Sequence, residues 1–155
     1  MKLLGRGTFS TAYLLDDGNV LLKSCDPVRE VQALGWFPKS PLFPTVSFGE
    51  RDGEYIMPYY APVKSAKRDL DPDQYSLYIM LSKLQANGYL ELYKLFERIP
   101  DDDVREALLG ALDACSNYDE HVSFEISRRN IAVVNGKLVL RDCFFSLTTL
   151  RRMAA

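Results

Sequence analysis

The sequence predicts an α+β fold, and three observations carry that prediction. The front of the chain reads strand, turn, strand: TAYLL, then DDGN, then VLLK. The middle, from Asp71 to Ser116, reads as helices, the last with Val104, Leu108, Leu112 and Cys115 at helical spacing. Near the end, Ile131 to Leu140 alternates β-branched and apolar residues around Asn135-Gly136, a dipeptide that accepts the positive φ of a tight hairpin turn. At 155 residues the chain is long enough for one domain with a real core and short for two.

In chain order, Leu4 to Tyr13 (LGRGTFSTAY) comes first, with Gly5 and Gly7 as the first two glycines of a G-x-G-x-x-G pattern and Ser10 in place of the third. A dinucleotide fingerprint must open a helix, and a Walker A loop needs Gly-Lys-Ser/Thr. Here strands flank the loop, which is how a glycine-rich loop is carried over ATP phosphates in protein kinases. With Asp17-Gly18 as the turn, Leu15 pairs with Val20 and Ala12 with Lys23. Ala12, Leu21 and Lys23 then share one face, two as an apolar ceiling for a purine and the third reaching phosphates. Asp26-Pro27 opens a short helix with Asp as N-cap, Val31 and Leu34 give it an apolar side, and Gly35 stops it. Glu30 on this helix is a candidate partner for Lys23.

Strands are expected near Pro44 to Gly49 and Glu54 to Met57, then an extended linker at MPYYAP. Asp71-Pro72 starts a helix running to Asn87-Gly88. A second covers Tyr89 to Arg98 and a third runs from the aspartates after Pro100 to about Ser116. Those aspartates read as capping charge. In the closing hairpin Val134 pairs with Lys137, Ile131 with Leu140 and Asn130 with Arg141, cross-strand Cβ atoms being roughly 4.5–5.5 Å apart. Asn130 and Asp142, twelve positions apart, therefore meet at the open end. An amide oxygen beside a carboxylate can hold a hard cation such as Mg²⁺, which shares oxygen ligands with phosphates. Glu125, five residues before Asn130, is a third polar group on the entering loop.

Composition excludes several classes. A net charge of −2 gives no general attraction to nucleic acid or to an anionic membrane. No apolar run reaches the ~18–20 residues of a membrane span, and the start MKLLGRG has no signal-peptide core. Cys25, Cys115 and Cys143 have no paired metal-ligand spacing and read as free thiols in a reducing cytoplasm. One histidine, His121, cannot build a multi-histidine metal site.

The ordered set LGRGTFSTAY, VLLK, Glu30, EISRRN and LRD resembles protein kinases. It is similar to the small early-expressed serine/threonine kinases of lytic tailed bacteriophages, which also carry Phe-Ser in the glycine loop and a hairpin leading to a metal-binding Asp. The resemblance spans Leu4 to about Phe145. It implies a minimal two-lobed kinase-like fold, with an antiparallel N-lobe over about residues 1–60 and a reduced helical C-lobe over about 61–155. Pro58 to Asp69 would be the hinge, with Met57 at the back of the purine pocket. Gly5, Gly7 and Ser10 would cover ATP. Lys23 would contact the α- and β-phosphates, fixed by Glu30. Glu125 would be the catalytic base, Asn130 would bind the second Mg²⁺, and Asp142 would bind the metal bridging the phosphates. Arg128 or Arg129 would replace the phosphate-contacting lysine of ordinary kinases. The implied partner is a host protein in the host cytoplasm, phosphorylated on serine or threonine.

The chain departs from the pattern in three places: the base is Glu rather than Asp, the triplet Asp142-Cys143-Phe144 lacks its glycine, and thirteen residues follow Asp142. The alternative reading is a pseudokinase that binds and inhibits a host factor. A small-molecule phosphotransferase is disfavoured by the size of the substrate lobe.

Overall fold

The β-rich front of the chain folds into a five-stranded antiparallel sheet of order β1-β2-β3-β5-β4. Its strands are β1 Lys2–Arg6, β2 Ser10–Leu14, β3 Asn19–Ser24, β4 Ser47–Phe48 and β5 Glu54–Pro58. The computed structural model describes residues 1–118 and 121–154. Together with six α-helices among those residues, the sheet makes a mixed α+β fold.

The turn between β2 and β3 differs from the expected two-residue form. Gly18 N–H donates to the Leu15 carbonyl at 3.1 Å, and Leu15 N–H donates to the Asn19 carbonyl at 2.9 Å. Gly18 has φ 88, and the Asp17 carboxylate accepts from Asn19 N–H at 2.9 Å. These contacts define a three-residue loop whose last member is left-handed, the second common hairpin solution. The odd residue moves the register by one, so Leu14 pairs with Val20, Ala12 with Leu22 and Thr11 with Lys23. A one-residue slip exchanges the faces of a strand. Ala12, Val20, Leu22, Tyr55 and Met57 therefore share the inner face, while Leu21 and Lys23 lie on the outer one.

Between β3 and β4 lies α1, Pro27–Ala33. Asp26 caps it, accepting from Val28 N–H at 3.0 Å, and Gly35 follows its end with φ 80. The second half of the chain holds α2 Ala66–Asp69, α3 Pro72–Ser82, β6 Ala86–Asn87, α4 Tyr89–Glu97 and α5 Asp102–Ser116. The expected hinge thus carries a short helix. The helix after Pro72 ends five residues early, because Ala86–Asn87 is drawn into a second sheet, in which β7 Val122–Phe124 lies between β6 and the later strand β10 Phe144–Ser146. Gly88 N–H donates to the Val122 carbonyl at 2.8 Å, which fixes that crossing. Asp101 caps α5 by accepting from Val104 N–H at 3.0 Å.

The chain closes with a 3₁₀ turn at Arg128–Asn130, the hairpin β8 Ile131–Val134 and β9 Lys137–Leu140, then β10 Phe144–Ser146 and α6 Leu147–Ala154. The last strand and helix have no counterpart in the sequence reading. Pairing of Ile131 with Leu140 and Val134 with Lys137 follows the expected register, with Asn135 at φ 51 and Gly136 at φ 79. The hairpin is tied down on three sides. Asp71 N–H donates to the Gly136 carbonyl at 2.9 Å, Leu138 N–H to the Gln74 side chain at 2.9 Å, and Leu140 N–H to the Leu42 carbonyl at 2.6 Å.

Beneath it sits the larger apolar core, where Phe96, Phe124 and Phe144 meet with ring centroids 5.0 to 6.0 Å apart. Leu81, Leu92, Leu108 and Leu112 surround them without solvent contact. Each such side chain stabilises the fold by about 1.5–3 kcal/mol through burial. Cys115 and Cys143 are buried thiols, Cys25 is an exposed one, and none is in a disulfide. No helix among the described residues is long and apolar enough to cross a membrane.

Candidate functional site

A cleft of about 760 Å³ separates the inner face of the five-stranded sheet from the open end of the β8–β9 hairpin. That volume lies in the range of small-molecule sites. Its roof is Ala12, Val20, Leu22 and Met57, and one wall is the strap Leu4–Ser10, made of the end of β1, the loop after it and the first residue of β2. Glu125, Asn130 and Asp142 line the opposite side, and Tyr59 and Tyr60 the edge. Burial pushes the Tyr60 phenol upward from its ordinary value, with Arg141 opposing.

The strap's glycines are not demanded by the fold. Neither Gly5 nor Gly7 has a positive φ. A Cβ on Gly5 would meet nothing within 4 Å, and one on Gly7 only the Ser10 carbonyl at 3.9 Å. Glycine in open space beside a cleft allows close approach of backbone to a ligand. Gly7 N–H donates to the Ser10 carbonyl at 2.8 Å, which closes the strap on itself.

The hairpin end brings together the pair that its register requires. Arg141 N–H and Asp142 N–H both donate to the Asn130 carbonyl, at 3.0 and 3.1 Å. The Asn130 amide donates to the Glu125 carbonyl at 2.8 Å and accepts from Ser127 N–H at 2.7 Å. Its side chain is thereby locked, with one acceptor lone pair of Oδ1 left over. The Asp142 carboxylate is half-exposed, and its Oδ1 is held by Arg29 Nη2 at 3.1 Å.

Three expected positions lie elsewhere. Lys23 stands on the outer face of the sheet, 3.8 Å from Glu54 and above the Tyr13 ring at 5.5 Å. Leu21 shares that outer face. Glu30 bonds to the Tyr118 hydroxyl rather than to Lys23. None of the three lines the cleft. For Leu21 and Lys23 the three-residue turn is the cause, since it reverses β3.

The cation of the site is instead Arg29, which sequence reasoning passed over. Its side chain is 8 % exposed, and Nη1 donates to the Gln32 amide oxygen at 3.1 Å. The Gln32 amide nitrogen in turn donates to the Pro44 carbonyl at 3.1 Å. Val28, Arg29, Val31 and Gln32 form the buried stripe of α1, while Leu34, read as part of its apolar side, is exposed. An arginine and a glutamine thus occupy positions that burial alone would give to apolar residues, which only the fold shows. A buried arginine must be paired. Arg141 also lines the cleft. Its guanidinium donates to the Arg129 carbonyl, burial lowers its pKa, and Asp142 opposes that shift.

Four arginines (Arg6, Arg29, Arg129 and Arg141) therefore face two carboxylates in this cleft, on a chain whose net charge is −2. The excess suits an anionic ligand. Asp26 lies behind Arg29. Burial raises its pKa from 3.8 to about 6, the cap bond to Val28 opposes this, and Asp142 adds to it.

The donor set fits a hard divalent ion only in company. No group of three or more His, Cys, Asp or Glu is assembled among the described residues. Asp142 Oδ2 and the spare lone pair of Asn130 offer two oxygens, and Mg²⁺ typically takes one or two carboxylates with phosphates and water supplying the rest. The residues fit Mg²⁺ arriving with a phosphorylated ligand. Comparison with protein families, with characterised proteins and with solved structures gives no match for this chain.

Proposed function

We propose that the cleft binds Mg·ATP and passes its terminal phosphoryl group to a serine or threonine hydroxyl of a host protein or of the chain itself, in the manner of the phage kinases that the sequence resembles. The observation that carries this reading is the convergence on one cleft of an unobstructed glycine strap, an apolar roof and the Asn130–Asp142 pair. In this reading the five-stranded sheet with α1 and the helical remainder are the two lobes of a minimal kinase-like fold. The segment from Pro58 to Asp69 is their connection.

The purine would lie under Ala12, Val20, Leu22 and Met57. Strap amides and Arg29 would face the phosphates, Arg29 taking the part first expected of Lys23. Asp142 and Asn130 would hold Mg²⁺, and the ion would supply charge neutralisation to the phosphates. The acceptor oxygen forms a bond to the γ-phosphorus as the bond to the β,γ-bridging oxygen breaks. Its proton passes to Glu125, and ADP leaves. Such catalysis is positioning and electrostatics around a largely dissociative transfer. Glu125 is one methylene longer than the usual Asp, so reach matters more than its intrinsic pKa, which is higher by only ~0.4 units.

A second reading has its own observation. Arg29 already neutralises Asp142, as a binding module that has given up metal would. The test is transfer of label from γ-labelled ATP by wild type, Asp142→Ala, Arg29→Ala and Lys23→Ala. Label from wild type and Lys23→Ala but not from the other two supports the kinase. Absence of transfer, with no Mg-dependent rise in Tm on adding ATP, supports the inhibitory binding module.

A further inference from the structure

One margin of the cleft carries cations that continue outward beyond it. Lys64, Lys67 and Arg68 lie just before and on α2, and Arg128 and Arg129 on the 3₁₀ turn that follows Glu125. All five are exposed. Arg128 Nη1 donates to the Lys64 carbonyl at 3.3 Å, which joins the two segments into one strip. Arg129 lines the cleft beside Glu125, so the strip begins where the acceptor hydroxyl must sit and runs outward over α2. Among the described residues none of the five is in an ion pair. One acid stands within it, Asp69, whose carboxylate accepts from Ser65 N–H at 3.4 Å. Cations are normally interspersed with acids on a surface. Here an acidic chain gathers five in one place and, among the described residues, pairs none of them with a carboxylate.

We propose that this strip docks the acceptor, and that the acceptor is an acidic polypeptide segment with Asp or Glu flanking the serine or threonine to be modified. The proposal rests on the phosphoryl-transfer reading and names its substrate class. Opposite charge along the strip would draw such a segment over the mouth of the cleft and present its hydroxyl to Glu125. Like charge would repel a basic segment from the same surface. A nucleic acid is the other polyanion to weigh. Binding to a phosphate backbone is the mark of a basic domain, and this chain is net negative. A strip this local matches a short acidic segment better than a continuous phosphate backbone. Exposed pairs are individually weak and screened by salt, so recognition here is collective.

The test uses the full chain with Mg·ATP and three serine peptides of equal length, flanked by Glu/Asp, by Gln/Asn or by Lys/Arg. The charge-reversal variant Lys64→Glu/Lys67→Glu changes two exposed rim residues that do not line the cleft. Binding of a fluorescent acidic peptide is followed by anisotropy at low and high salt, without nucleotide. The expected kcat/KM favours the acidic peptide over the neutral one by about tenfold, the scale of two or three exposed pairs acting together. The reversal variant should lose that preference, gain use of the basic peptide and keep the wild-type rate of ATP hydrolysis. Equal use of all three peptides with turnover intact overturns the docking proposal and leaves the kinase reading standing. Salt-sensitive binding of the acidic peptide, lost on charge reversal but with no label transferred, supports the docking surface and removes the kinase reading. Tighter binding of a single-stranded oligonucleotide than of the acidic peptide assigns the strip to nucleic acid and overturns the proposal.

Discussion

The glycine strap and the β8–β9 hairpin face each other across the cleft and are built to opposite specifications. Between Leu4 and Thr8 every residue of the strap is exposed, and added Cβ atoms at Gly5 and Gly7 meet almost nothing. The hairpin buries Ile131, Leu138 and Leu140 in the larger core and is bonded to α3 and to Leu42. A Cβ on Gly136 would run into the Asp71 carboxylate. Among the described residues the smaller core under the roof has five buried members, against twenty-one in the larger one. Few buried contacts mean cheap local opening. The side offering oxygen donors is therefore fixed, and the side proposed to cover a ligand can yield. Amide exchange should be fast from Gly5 to Phe9 and slow from Ile131 to Leu140, and the reverse pattern would break this contrast.

The largest effect is expected where the two sides are bridged. Arg29 belongs to α1 on the sheet side and Asp142 to the hairpin side, and their ion pair is the direct charged link between them in the cleft. Asp142→Ala should cut phosphoryl transfer by at least about a hundredfold, near 2.7 kcal/mol of transition-state stabilisation. Arg29→Ala should do the same. Arg29→Lys should restore little, because an ammonium cannot serve Asp142 and Gln32 through one planar fork. Recovery of full rate in the lysine variant would show that charge alone matters there.

Next come the two kinds of glycine. Gly136→Ala should lower stability by roughly 2 kcal/mol or more, since φ 79 and the Asp71 contact oppose it together. Denaturant melts would read this as a lower midpoint at unchanged slope. Gly5→Ala should leave stability within about 0.5 kcal/mol while weakening ATP binding roughly tenfold through the lost approach distance, about 1.4 kcal/mol. A stability loss at Gly5 equal to that at Gly136 would erase the distinction between compliant roof and fixed floor.

A smaller effect is expected at Asp26, beneath the bridge. Its folded pKa of about 6 lies above the unfolded 3.8, so the native state holds a proton that the unfolded chain has released. The contribution to stability is full below pH ~4, declines as pH rises through about 6, and is flat above that. Asn is as good an N-cap as Asp and carries no charge to bury. Asp26→Asn should therefore flatten the melt profile between pH 4 and 6 and raise stability near pH 7 by on the order of 1–2 kcal/mol. A variant less stable than wild type at pH 7 would mean that the charge of Asp26 supports the fold.

How much of this was legible in the sequence divides along the same line. The hairpin floor could be read because Asn135-Gly136 prescribes a two-residue turn, and the turn then fixes every pair out to Asn130 and Arg141. The roof could not be read as well. DDG between Leu15 and Asn19 suits either a two- or a three-residue loop, and the choice decides which face each β3 side chain takes. Arg29 was hidden for another reason: a buried cation follows from its partners, and Asp142 lies 113 positions away. The β6–β7–β10 sheet joins strands of two or three residues, too short for an alternation to show.

The smallest expected effect is the sharpest test of the register. Lys23 stands where a kinase-like sequence would place its phosphate-binding lysine, yet it points away from the cleft toward Glu54 and Tyr13. Its ion pair is half-exposed on the lysine side, and such pairs contribute about 0–1 kcal/mol. Lys23→Ala should change ATP affinity and phosphoryl transfer by less than about twofold, within that allowance. Leu22→Lys would place an ammonium in the roof and should weaken purine binding by more than the loss of Lys23 does. A hundredfold loss in Lys23→Ala would require β3 to turn over in solution. The two-residue loop would then be the functional one, and the cleft would exchange Arg29 for Lys23 as its cation.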